Sequence, residues 1–179
     1  WFQPVVKIDE LYAEFDPWFT LAHKPTQARL RERRESWSNS PRIRETVFAG
    51  VAENLATGAV LRDSARYPHL MGQQPDLYRG FMERTWANTT KDGIVSLIHP
   101  ESHFTEKKAA PLRRGAYLRL RRHWQFVNEL KLFDIAHIFF YGVHTYGPAK
   151  ERPEFLSAVH MYHPTTATRS EERRVGKEC

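Results

Sequence analysis

The chain has 179 residues, with 27 Lys or Arg against 21 Asp or Glu and a formal charge of +6. That excess, which survives removal of the final eleven residues, points to a nucleic acid or another anionic surface. An aromatic content of 13% argues against wholesale disorder, and the one cysteine, Cys179, rules out a disulfide framework or a Cys-based zinc site.

No apolar run approaches the ~20 residues of a membrane span, and no secretory pattern is present, so a cytoplasmic location is expected. Residues 1–4 predict a strand end turning into a loop, with Pro4 stopping ladder pairing. Residues 5–15 suit a short helix before the Asp16-Pro17 turn. Residues 26–37 (TQARLRERRESW) predict a helix capped by Thr26, whose alternating charges mark a solvated face. Ser40-Pro41 opens a second helix to about Ala56, and residues 58–72 are turn-rich.

Pro75 and Asp76 then signal a helix start. Leu77, Phe81 and Thr85 fall on one row of that helix and Tyr78, Met82 and Trp86 on the next, a stripe wide enough to lie against a sheet. The nearly continuous apolar run 94–98 predicts a strand covered on both faces in a parallel sheet, and the helix–turn–strand order predicts half of a βαβ unit. Residues 107–123 carry seven Lys/Arg and no acid. They predict a cationic helix with Leu112, Ala116 and Leu120 as its buried row and Arg114, Arg121 and Arg122 pointing away. Further strands are expected at 125–130, 135–143 and 155–162. The chemistry then gathers in the polar loop HPESH after the 94–98 strand, because ligands in open α/β sheets sit beyond the carboxyl ends of strands.

The ordered series DLYRGFMERTW, GIVSLIHPESHF, PLRRGAYLRLRRHWQFVNELKLF and IAHIFFYGVHTYG resembles the post-catalytic half of adenine-specific DNA methyltransferases, in particular the large methylases of restriction-modification and phage-defence systems. The opening WFQP resembles the continuation of that family's Asn-Pro-Pro-aromatic motif. The resemblance implies an α/β fold: the C-terminal half of a Rossmann-like methyltransferase sheet, incomplete at both ends, with a fourth-strand end, a fifth strand and a sixth/seventh-strand hairpin. It implies residues 1–168 as a partial catalytic domain. The final segment 169–179 (RSEERRVGKEC) resembles the translation of a sequencing adapter and is expected to be foreign.

The implied activity is methyl transfer from S-adenosylmethionine to the adenine exocyclic amine of double-stranded DNA. The cofactor-binding glycine motif belongs upstream, so the isolated segment is expected to be inactive. Trp1 is the implied stacking aromatic for the flipped base. His99, Pro100 and Glu101 are implied substrate contacts in the closing loop, and Phe140 or Tyr141, with Phe139 also open, packs on the base's second face. Lys107, Lys108, Arg113, Arg114, Arg121 and Arg122 are implied phosphate contacts. No metal is expected, because sulfonium methyl transfer needs none and Pro100 breaks any helical spacing between His99 and His103. Two other readings stay open: a nucleic-acid-binding module without catalysis, and an interaction segment that meets other defence-system subunits.

Overall fold

Capping and ion pairing set the helices of the first unit. The computed structural model describes residues 7–169 and 173–175, in two units that divide after Val60. The first contains α1 (Ile8–Ala13), α2 (Trp18–Leu21), α3 (Gln27–Ser38) and most of α4 (Pro41–Leu61). The Thr26 hydroxyl accepts from the Arg29 amide at 3.4 Å and caps α3, as its sequence predicts. Pro41 occupies the first position of α4, where a missing N–H costs nothing, and the helix runs five residues past its expected end at Ala56. Leu30, Ile43 and Val47 are buried.

Asp16 is the buried acid of this unit. It accepts from the Trp18 amide at 3.1 Å, Arg33 Nε at 2.6 Å and the Trp37 indole at 2.8 Å. The Arg33 bond, helped by Trp37, Trp18 and the Arg33 charge, outweighs desolvation and lowers the Asp16 carboxyl to about 2. Because the folded value is depressed, the stabilisation is complete above the ordinary 3.8 and is lost as pH falls through about 2.

The second unit begins at Leu61 and is an α/β structure. Asp76 caps α5 (Leu77–Asn88) by accepting from the Tyr78 amide at 3.3 Å. There follow β1 (Val95–Pro100), the single turn α6 (Ser102–Thr105), α7 (Ala110–Arg119), β2 (Leu120–Val127), β3 (Phe140–Tyr146), β4 (Phe155–Met161) and β5 (Arg173–Val175). The sheet order is β1-β3-β2-β4-β5. β3 is antiparallel to both β1 and β2, β4 runs parallel to β2, and β5 is antiparallel to β4. The sheet is therefore small and mixed.

Several expectations are corrected by this arrangement. Residues 94–98 are not covered on both faces: Val95, Leu97 and His99 turn inward, whereas Ile94 and Ile98 are 67% and 54% exposed. Among the described residues β1 is an edge strand whose one ladder is antiparallel, so the alternation is that of a half-covered strand. The strand end expected at residues 1–4 lies outside the described residues.

The cationic stretch 107–123 is not one helix. A 3₁₀ turn (Lys107–Ala109) precedes α7, which stops at Arg119. The Gly147 and Lys150 amides donate to the carbonyls of Arg119 and Leu118, at 2.9 Å each, and so satisfy the helix end. Arg121 and Arg122 thus lie on β2, beside the strand-favouring Trp124, Phe126 and Val127. The buried row is nonetheless right: Leu112, Ala116 and Leu120 are fully buried.

The strand expected at 125–130 begins earlier, at Leu120, and that expected at 135–143 begins later, at Phe140. Asn128 holds the intervening loop. Its amide donates to the carbonyls of Phe133 and Ile135, both at 2.9 Å, and its carbonyl accepts from the Phe133 amide at 3.2 Å. Residues 155–161 form the expected strand, which pairs parallel with β2.

The main core gathers Met82, Leu112, Leu120 and Tyr146 between the helices and the inward face. A smaller core of Phe126, Tyr141 and Met161 covers the opposite face. Of the two apolar rows expected on α5, the Tyr78–Met82–Trp86 row is packed, while Phe81 on the other is 64% exposed.

Met82→Ala is expected to lower stability by about 2–5 kcal/mol in urea unfolding, whereas Phe81→Ala changes it by less than about 0.5 kcal/mol. Equal losses would place the wrong face of α5 in the core. In acid titration, Asp16→Asn should cost stability at neutral pH and remove the part of the loss that falls between about 3.8 and 2.

Candidate functional site

Period-two alternation on three strands builds one polar patch. Leu97, His144, His123 and Ser157 are successive register partners across β1, β3, β2 and β4, and His99, Gly142 and Gln125 form the adjacent rung. Cross-strand partners share a face, so three imidazoles and an amide converge on the side covered by α5, α6 and α7.

Glu101, the residue between β1 and α6, turns its carboxylate into this patch. Its Oε1 lies 2.5 Å from His123 Nε2 and 3.6 Å from His144 Nε2, and its Oε2 accepts from the Gln125 amide. The far nitrogen of His123 reaches Ser157 Oγ at 3.2 Å. Gly142 leaves the space between them. A Cβ there would stand 2.1 Å from His144 Cε1 and 2.7 Å from Glu101 Oε1.

The His99 ring lies flat on His144, with centroids 3.9 Å apart and planes 4° off parallel. Its nitrogens meet the Pro100 carbonyl at 2.8 Å and the Tyr146 hydroxyl at 3.0 Å. His103, on α6, packs its ring 5.1 Å from His99 and 4.0 Å from Phe104. His103 and His144 are both fully buried, and neither nitrogen of either ring has a hydrogen-bond partner.

Burial disfavours the imidazolium form at each site. It lowers His99 to about 4, against the opposing pull of the Pro100 carbonyl and the Glu101 charge. His103 and His144 are pushed well below the ordinary histidine value, first by burial and then by the neighbouring His99. Burial likewise drives the Tyr146 hydroxyl well above its usual value.

A second polar cluster adjoins the first. The buried Arg79 guanidinium donates to the Tyr78 hydroxyl at 3.1 Å, Gln73 Oε1 at 3.0 Å, Ser102 Oγ at 3.3 Å and the Glu106 carboxylate. The Tyr78 ring stacks on His99 at 5.5 Å, and its hydroxyl is 2.8 Å from Ser102 Oγ. Arg79 thereby fixes α6, and with it Glu101, against α5.

The sequence-derived candidates are dispersed by this geometry. His99 and Glu101 meet in the patch, and Pro100 ends β1 beside them. Phe140 is partly exposed at the start of β3, its ring edge-on to His160 at 5.4 Å. Tyr141 is not with them. It is buried on the opposite face between Phe126 and Phe133.

Among the cations, Arg113 donates to the carbonyls of Phe104 and Glu106. Arg121 donates to those of Arg119, Leu120 and Pro148. Arg122 stacks its guanidinium over Trp124 at 5.1 Å. Lys107, Lys108 and Arg114 are exposed. Trp1 lies outside the described residues.

Sequence reasoning missed His123, Gln125, Gly142, His144 and Arg79. The signal for the first four was spacing of two residues on strands; reading 107–123 as a helix hid it for His123. Buried Arg79 carried no signal beyond its place next to Tyr78.

Among the described residues, those able to hold a metal are Glu101, His123 and His144, whose ligating atoms lie within 4.8 Å of one another. No helix among the described residues is long and apolar enough to cross a membrane. No family model, curated protein or solved structure matches the chain.

Because the buried imidazoles bind protons less well folded than unfolded, stability should fall as pH drops from about 6.5 towards 4, the window over which His99 contributes. A melting temperature that stays flat or rises across that window would contradict neutral, buried histidines.

Proposed function

We propose that the second unit is part of the catalytic domain of an adenine-specific DNA methyltransferase of the restriction-modification or phage-defence type. The observation that carries this reading is the rim where β1 ends. Pro100 is the register partner of Tyr141 and His99 that of Gly142, so the loop starting at Glu101 borders the beginning of β3. The β2–β3 hairpin joins β1 through β3, as suits a fifth strand followed by a sixth/seventh-strand hairpin in half of a Rossmann-like sheet.

On this reading the rim forms one wall of the pocket that receives an extruded adenine, since a base within the duplex is out of reach. Phe140, partly exposed at that rim, is the aromatic that packs on the base, while Tyr141 supports the strand from the opposite core. His99 is a packing residue whose two hydrogen bonds hold Pro100 and Tyr146 in place. Glu101 orients the loop through His123 and Gln125. S-adenosylmethionine supplies the methyl group. Lys107, Lys108 and Arg114 offer a charged surface for phosphates, each contact adding affinity that falls with salt.

The test is the full reading frame that encodes this segment, expressed as one protein and assayed for transfer of labelled methyl groups from S-adenosylmethionine to DNA. N6-methyladenine is the expected product. Phe140→Ala should lower kcat by weakening capture of the flipped base. Lys107→Glu with Lys108→Glu should weaken DNA binding and flatten its salt dependence by ~1 unit of slope per lost phosphate contact. Salt-dependent DNA binding without any methyl transfer would replace this reading with a non-catalytic nucleic-acid-binding module.

A further inference from the structure

We infer that Glu101 Oε1, His123 Nε2 and His144 Nε2 form a binding site for one divalent transition-metal ion of the zinc class. The three ligands come from three separate segments, the turn after β1, strand β2 and strand β3, and converge within 4.8 Å. The site does not rest on the methyltransferase reading, which requires no metal.

Four features of the patch suit an ion. His144 is fully buried with no hydrogen bond to its Nε2, and a buried polar atom left without a partner is destabilising. A cation at Nε2 supplies that partner. Around His123, the Ser157 hydroxyl occupies Nδ1 and leaves Nε2 facing Glu101, and the Gln125 amide steadies the other carboxylate oxygen. Such outer hydrogen bonds orient metal ligands and set the imidazole tautomer. Gly142 keeps clear the space that a Cβ would take from His144 and Glu101. Finally, a positive ion offsets the burial of the Glu101 carboxylate.

The donor set selects the ion. Two imidazoles and one carboxylate suit zinc or a similar borderline cation, whereas calcium and magnesium prefer all-oxygen shells. Donors of a tetrahedral ion with ~2.0–2.1 Å bonds stand roughly 3.3 Å apart. The 3.6 Å separation of His144 from Glu101 is close to that value, and the 2.5 Å contact of His123 with Glu101 would have to open to admit the ion. Three protein ligands leave a fourth position for water or another donor.

The 179-residue chain, stripped with a chelator, is titrated with Co²⁺ and then with Zn²⁺. One Co²⁺ per chain should bind with the strong visible absorption of a tetrahedral site, Zn²⁺ should displace it, and the melting temperature should rise with bound metal. Glu101→Gln and His123→Gln should abolish the band, and Ser157→Ala should weaken binding by about tenfold. His23→Gln and His137→Gln, both at exposed positions, should leave it unchanged. Absence of a bound ion, or a band that survives Glu101→Gln and disappears with His137→Gln, overturns the proposal and leaves a proton between His123 and Glu101. If circular dichroism shows that the variants do not fold, zinc-edge absorption of the unaltered chain decides. Two imidazoles with an oxygen donor support the site, and any other shell refutes it.

Discussion

A carboxylate withdrawn from water between two strands is the constraint on which the second unit turns. Removing an ionised group from solvent costs several kcal/mol unless partners replace its hydration. Glu101 meets that requirement with His123 and Gln125, which project from β2 on alternate residues. For both to reach it, β1 must end where it does, β3 must lie between β1 and β2, and the β3 residue at the crossing must lack a side chain. Gly142 satisfies the last condition, because any Cβ would occupy the space held by His144 and Glu101. Strand order, register and one glycine are thus tied to a single polar contact.

Around that contact the imidazoles work as packing groups that retain lone pairs. His99, His103 and His144 are stacked or edge-on to one another and held neutral by burial, so they do not repel one another. Arg79 completes the support from the helical side, binding Tyr78, Ser102 and Glu106 at once. The turn α6 is too short to be stable by itself, so its position depends on these side-chain bonds.

Local signals were legible in the sequence where a single element's chemistry decides the outcome. Thr26 and Asp76 cap their helices, the Tyr78–Met82–Trp86 row is packed, and the Leu112–Ala116–Leu120 row is buried. Leu120 shows why the row survived a wrong boundary. Spacing of four on a helix placed it inward, and as the first residue of β2 it still points to the same core. What failed depended on partners distant in the chain. The apolar run 94–98 reads as doubly covered, yet among the described residues only one face meets helices. Residues 135–139 have strand composition, but Asn128 draws the preceding loop into its own hydrogen bonds. The histidine patch was half visible: His99, Glu101 and His103 stand close in sequence, whereas His123 and His144 join them only through register across β2 and β3.

The convergence of Glu101, His123 and His144 is tested most directly by crystals of the chain grown with zinc, measured above and below the zinc absorption edge. One anomalous peak at bonding distance from Glu101 Oε1, His123 Nε2 and His144 Nε2 is the predicted result. A map with no peak there, or with zinc held only by surface histidines, would contradict it.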